Sequence, residues 1–397
     1  MNPIPNVAEM IANCAGDKDM NGTNSISKKL THSDGTHATV ASARDRSLVS
    51  HPHLCFVGYI AGRNPGRVPH QSEILAKLFK EAGYPVAAVS DELSRWKRLT
   101  DIVSTLIRRR HNSEIIMLQV FGEMSFIGED IASSLAKRFR QPLVMVLRGG
   151  TLPEFMGRFP HWTTGVLRRA DVLVTPSSYL PRVLASYGLR SRVIPNVVNL
   201  PLYPYRHRQT VQPRLFWMRT FHPHYNPLMA IRVLARLRAS RPTATLVMAG
   251  ADDDAALQRE VRQTVEACGL KDAVNFPGFL DMKGKSREGT AADIFLNTNQ
   301  VDNMPVSVLE ACAMGIPVVA TKVGGIGDLL VDGETALLVP SDDDEAMVKA
   351  IGRLLNEPGL AARLSANGRR LAESCSWKQV RGCWEELFSE LLSRRAR

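Results

Sequence analysis

Residues 302–325, DNMPVSVLEACAMGIPVVATKVGG, decide the fold class of this chain. Just upstream, residues 293–298 (DIFLNT) form a short apolar run of strand type, and from Pro305 onward Val306, Leu309 and Ala313 recur at helical spacing. Pro305 suits the first turn of that helix, where a missing N–H costs nothing. A strand, a polar loop and a helix start in that order aim free backbone N–H groups and the positive end of the helix dipole at whatever lies above the loop. Such a site suits a diphosphate. The loop at Asn303 and Met304, leading into Pro305 and Val306, is the expected cradle. Asp302 stands in the loop and Glu310 follows eight residues later in the second helical turn, so the two carboxylates are spaced to hold different hydroxyls of one ligand. Residues 317–321 (PVVAT) then read as a buried parallel strand. It ends near Gly324 and Gly325, where missing side chains permit close backbone approach.

The same rhythm extends in both directions. Downstream of a Pro-rich polar connection (Pro195, Asn196, Pro201, Pro204), strand-type runs at 214–218, 244–250, 274–276 and 294–298 alternate with helical stretches at 227–240 and 255–268. Helices are expected at about 345–356 and 360–372, and residues 377–392 are amphipathic, with Val380, Trp384, Leu387, Phe388 and Leu391 on one side. Upstream, residues 54–60 (LCFVGYI) lead into a Gly-rich loop at 62–68, and strand-type runs recur at 86–89, 115–120, 143–147, 172–175 and 193–194. This alternation predicts α/β structure, with parallel sheets covered on both faces. Residues 1–50 are rich in Asn, Ser, Thr, Asp, Gly and Lys and poor in large apolar side chains, which predicts a flexible tail.

The segment 302–325 resembles the donor-binding signature of the retaining glycosyltransferases of family 4: an acid, seven residues, Glu, an Ala-rich helix, then Gly-x-Pro-Val-Val-Ala and Gly-Gly. VIPNVVNLPLYP, at 193–204, is similar to that family's interdomain stretch, with Val197 and Asn199 as departures. The resemblance implies the GT-B architecture, two Rossmann-like domains facing a central cleft: a tail at 1–52, an acceptor-side domain at 53–205, a donor domain at 206–376, and a helix at 377–397 that packs back toward the first domain. It implies transfer of a sugar from a nucleotide-diphosphate sugar to a glycan, lipid-linked or other hydroxyl acceptor with retention of configuration, with no cofactor and no catalytic metal. By position, Glu310 falls on the acid that binds the ribose hydroxyls, and Asp302 on the one that contacts the transferred sugar, where the family has Glu. Arg219 falls on one of two cations for the diphosphate. Two are reasonable because the leaving group develops charge in the transition state. Tyr225 and Asn226 replace the Lys-Gly of the second, for which His222, His224, Lys283, Lys285 or Arg287, read as loop residues, are the expected stand-ins.

Arg148 stands where the family usually has a His. At the end of a strand, where open α/β sheets bind ligands, it is placed to contact donor phosphate or an acidic acceptor, and a structural ion pair is the other reading. Asn303, Met304, Pro305, Val306, Gly325, Gly66 and Phe279 complete the expected donor-binding set. The loop at 58–66 lacks the G-x-G-x-x-G pattern, which disfavours a nicotinamide cofactor. Asp252–Asp254 and Asp342–Asp344 are read as helix-capping acids rather than metal ligands.

Composition bounds the partners. A length of 397 residues exceeds what one core usually supports. The formal net charge of +11 favours anionic partners. No zinc-finger spacing and no aromatic-basic RNA-binding pattern is present, which argues against nucleic acid. Six cysteines without a C-x-x-C pair indicate neither a zinc site nor a disulfide framework, as expected of a cytoplasmic chain. No apolar run approaches the roughly 18 residues of a spanning helix, so any membrane contact is expected to be peripheral, at the inner face. Two other classes remain open at this point: an epimerase or phosphorylase of the same fold, and a non-catalytic sugar-nucleotide-binding protein.

Overall fold

The computed structural model describes residues 51–60, 62, 69–112, 115–251 and 254–396. The expected tail at 1–50, Gly66 and most of the Gly-rich loop lie outside them, as do Asp252 and Asp253.

Two parallel six-stranded sheets dominate the fold. The first is built from β1 (Leu54–Val57), β2 (Val86–Val89), β3 (Ile115–Val120), β4 (Leu143–Leu147), β5 (Val172–Thr175) and β6 (Arg192–Val193), in the order β2-β1-β3-β4-β5-β6. The second contains β7 (Arg214–Met218), β8 (Thr245–Ala249), β9 (Val274–Gly278), β10 (Ile294–Asn297), β11 (Val318–Thr321) and β12 (Leu337–Val339), in the order β12-β11-β10-β7-β8-β9. The inner strands β1, β3, β4, β10 and β11 are largely apolar and buried because both faces are covered. Leu54 and Phe56 enter one core cluster while Cys55 and Val57 enter the other, as the two-residue period of a strand requires. Leu215 and Trp217 part from Phe216 and Met218 in the same way in the second sheet.

In the second sheet the strand order reverses between β7 and β10. Ligands of open α/β sheets bind at the carboxyl ends of the strands at such a switch point. The chain reaches it from both sides: Arg219 follows β7, and Asp302 follows β10.

The two halves are joined twice. Val198 N–H donates to the Cys375 carbonyl at 2.9 Å, so the outgoing and returning connections run side by side. The returning chain becomes the helix Trp377–Ala396, which places Val380, Trp384, Leu387, Phe388 and Leu391 against Leu54, Phe56, Phe79 and Ile194 of the first half. These positions recur at i, i+4, i+7, i+8 and i+11 and share one helical face. Arg192 fastens the helix with a 2.9 Å pair to Glu390, and the Tyr84 hydroxyl donates to Glu385 at 2.9 Å. Trp384 is 1% exposed. Trp384→Ala is expected to lower the unfolding free energy by about 3–5 kcal/mol through lost burial and the cavity left behind, read as a shift of the urea midpoint.

Candidate functional site

A cleft of about 560 Å³ runs between the two sheets, walled on one side by His70, Phe121 and Arg148 and on the other by Arg219, Glu310 and Phe279. Its centre is the loop after β10. Asp302 is half-buried there, and its carboxylate pairs with the Arg219 guanidinium and accepts the Asn299 side-chain N–H at 2.7 Å. Burial pushes the Asp302 carboxyl up, against the pull of Arg219 and of the Asn303 and Met304 N–H groups. Arg219 lies over the Tyr225 ring at 3.9 Å. Burial opposes its charge, but Tyr225, Asp302 and Glu310 outweigh it and hold the guanidinium above its usual value. The Tyr that takes the place of the family's Lys is thus the platform under the remaining cation.

Glu310, 6% exposed, sits in the second turn of the helix Val306–Ala313. It accepts the Tyr203 hydroxyl at 2.7 Å and Lys285 Nζ at 2.8 and 3.1 Å. This corrects the expectation for the second cation. Residues 282–291 form a helix and not a loop, and Lys285 is turned onto Glu310. Among His222, His224, Lys283, Lys285 and Arg287, Lys285 alone lines the cleft. Arg287 pairs with its neighbour Glu288, and His222 and His224 lie against each other with ring centroids 4.7 Å apart.

The other expected donor-binding residues divide. Met304, Pro305, Val306 and Phe279 line the cleft, with Pro305 as the residue before the helix. Asn303 and Gly325 support it from beneath. The Asn303 side chain accepts from the Ser177 hydroxyl of the first half at 2.5 Å, and Gly325 N–H donates to the Asp302 carbonyl at 3.0 Å. A side chain at Gly325 would drive into the Asn303 carbonyl oxygen, and Gly324 holds φ +50 where its Cβ would strike the Asp302 carbonyl. Asp254 and Asp343 each cap a helix, accepting N–H groups at 3.0 and 2.8 Å. Among the described residues no group of three or more His, Cys, Asp and Glu is placed to hold a metal ion.

Among the described residues, four buried donors on the cleft have no partner: Arg219 Nε, Ser307 Oγ, Arg148 Nη2 and Ser72 Oγ. Ser307 belongs to the first turn of the helix Val306–Ala313, so its hydroxyl stands with the free N–H groups of that helix end. Tyr203 and His70 had no signal in the sequence, because their place on the cleft depends on packing between distant segments, whereas Ser307, within the stretch 302–325, could have been found there, since it lies in the helix's first turn.

Residues 207–371 match the family model of glycosyl transferases group 1. The matched segment holds Arg219, Asp302 and Glu310, and Arg148 lies outside it. The chain is 25% identical to an exopolysaccharide phosphotransferase of Streptomyces coelicolor over 95% of its own length and 40% of that protein's. It is 25% identical to a glycogen synthase of Mycobacterium tuberculosis over 63% of each. The chain thus spans less than two thirds of either relative. Among solved structures, Anabaena HepE in complex with UDP and glucose superposes with a TM-score of 0.69 at 16% identity, covering 86% of this chain and 100% of that one. The fold is GT-B.

His70 lies on the first-half wall, in edge contact with Tyr59 and Phe121 at 5.8 and 5.4 Å between ring centroids. Burial, then Arg148 and Arg98, push its pKa from 6.5 down to about 4. The folded state therefore prefers the neutral ring, and its contribution to stability is present above pH 6.5 and lost as pH falls toward 4. The His70 ring resonances are expected to titrate near 4 in an NMR pH series, and His70→Gln to lose less stability than wild type across that window.

Proposed function

We propose that the chain is a glycosyltransferase that takes a nucleotide-diphosphate sugar and passes the sugar to a hydroxyl acceptor, glycan or lipid-linked, with retention of configuration and without a metal. The observation that carries this reading is the set of unpartnered donors at the cleft floor. Arg219 Nε and Ser307 Oγ stand beside a helix start at the switch point of the second sheet, an arrangement that suits a diphosphate. The match of residues 207–371 to glycosyl transferases group 1 supports it.

In this proposal Glu310 receives the ribose hydroxyls. Lys285 and Tyr203 fix its orientation, and a carboxylate has lone pairs to spare for two further donors. Phe279, 37% exposed on the cleft, offers an apolar face to the base. Arg219 and the helix start receive the charge that develops on the leaving diphosphate, which is the contribution a metal makes elsewhere. Asp302 contacts the transferred sugar with its remaining oxygen. Both carboxylates are engaged by cations, which makes each a poor covalent nucleophile. This favours attack by the acceptor on the face from which the diphosphate departs, with a phosphate oxygen taking the acceptor's proton. Site charges and positioning then supply the rate. A basic chain with a lipid-linked acceptor would meet the membrane peripherally, at the cytoplasmic face.

A panel of nucleoside diphosphates and their sugars tests the reading by thermal shift. A true donor at a hundredfold excess over its Kd adds about 2.7 kcal/mol of stability. NMR of the product then reads the anomeric configuration: inversion removes retention, and a failure of every nucleotide to bind removes the whole proposal. Glu310→Gln, which keeps the shape of the side chain, is expected to weaken a bare nucleoside diphosphate and its sugar form equally. The expected loss is about tenfold or more by isothermal titration, since hydrogen bonds to a charged group are worth about 1.5–3 kcal/mol. Unchanged affinity would take Glu310 out of the site.

A further inference from the structure

Arg148, half-buried on the cleft wall, differs in its partners from the other arginines set into the fold. Arg219 faces Asp302, Arg206 and Arg214 share Asp293, and the Arg208 guanidinium donates to the carbonyl oxygens of Arg206, Met314, Gly289 and Ala292. Arg148 has two neutral partners: Nε donates to Gln119 Oε1 at 3.1 Å and Nη1 to Asn196 Oδ1. Its Nη2 is buried without a partner, and no acid among the described residues pairs with it. Burial lowers the Arg148 pKa to about 10, and no neighbouring anion offsets it. The adjacent His70 is driven neutral, so no cation competes at that point. A buried guanidinium held by amide oxygens alone is costly, and an anion that arrives with a ligand would complete it.

Its position separates that anion from the diphosphate. Arg148 follows β4 in the first sheet, whereas Arg219 and Ser307 belong to the second. Asn196, which accepts from Arg148, also donates to the Met304 carbonyl at 2.9 Å, and Gly150 lies against the Asp302 backbone. The guanidinium therefore stands over the loop at 302–304, across the cleft from the helix start. We propose that Arg148, oriented by Gln119 and Asn196, is an anion subsite that takes a carboxylate or phosphate carried by the transferred sugar or by the acceptor, apart from the donor diphosphate. This rests on the glycosyl-transfer reading and names its substrate class: one of the two substrates is acidic.

Two pairs of probes that differ only in the charged group test it by isothermal titration. One pair is a nucleotide-linked glucose and the corresponding glucuronate, for a charge on the sugar. The other is glucose and glucose 6-phosphate with nucleoside diphosphate present, for a charge on the acceptor. Wild type is expected to bind the charged member of one pair about tenfold or more tightly than the neutral one. That preference is expected to vanish in Arg148→Gln and to return in part in Arg148→Lys, which restores the charge without the planar fork. Equal binding within both pairs by wild type overturns the proposal, whatever the variants do. So does a preference that survives in Arg148→Gln, or an equal loss of affinity for the bare nucleoside diphosphate, which would give Arg148 to the diphosphate. Should no nucleotide bind wild type, the glycosyl-transfer reading fails separately, and glucose 6-phosphate against glucose without nucleotide still tests the anion subsite. If Arg148→Gln does not fold, the wild-type ratios and Arg148→Lys decide.

Discussion

The pairing of Arg219 with Asp302 is the interaction on which the cleft depends. The two residues leave adjacent strands, β7 and β10, at the point where the order of the second sheet reverses. Their side chains are only 15% and 13% exposed, so each would be a poorly compensated charge without the other, a state that costs up to about 3–5 kcal/mol when one partner of a buried pair is lost. Together they draw the ends of two strands into one platform. Asn299 and two backbone N–H groups also hold the Asp302 carboxylate in place, and the Tyr225 ring lies beneath Arg219. With Asp302 fixed, the chain from Met304 to Val306 has one course, and the helix Val306–Ala313 must start facing the cleft. Gly324 and Gly325 make that course possible from below, since a side chain at either would collide with the loop backbone.

The sheets were legible in the sequence because their signal is local. Apolar runs of about four to six residues, punctuated by Gly and Pro, mark most strands of a sheet buried on both faces, with β6 and β12 shorter. The strand expected at 214–218 begins and ends where the structure has it, and the run at 293–298 overshoots β10 by one residue at each end. The amphipathic stretch at 377–392 continues to Ala396 because its last turns are charged and carry no apolar pattern to mark their end. The position of Asp302 and Glu310 on the cleft was legible for the same reason: strand, loop and helix are consecutive in the chain.

What the sequence did not reveal lies in contacts between residues far apart in it. Asn303 reads as a cradle residue, yet its side chain meets Ser177, 126 positions earlier. Lys285 reads as a free cation, yet it is held by Glu310, 25 positions later. Tyr203 reaches Glu310 from 107 positions away. None of these pairings has a periodicity or a motif, because each is set by how the two halves and their helices pack. The absence of an acid beside Arg148 among the described residues is hidden in the same manner: a chain with 39 Asp and Glu residues offers many counter-ions on paper, and only the fold decides which cations go without.

The shorter acid at 302 has a physical consequence in this setting. A carboxylate on one methylene stays close to its own loop, where it accepts the Asn303 and Met304 N–H groups and meets Arg219. One methylene more would carry the charge toward the cleft and away from those backbone donors. The chain therefore gives up reach at this position and gains a rigid loop, and Glu310 is fixed in a similar way by Lys285 and Tyr203. With both acids of the donor side neutralised by cations of their own, Arg148, on the opposite wall, has no acid partner among the described residues. Recognition by electrostatics then passes to the first sheet, where the segments before and after each strand end differ most from chain to chain in such folds.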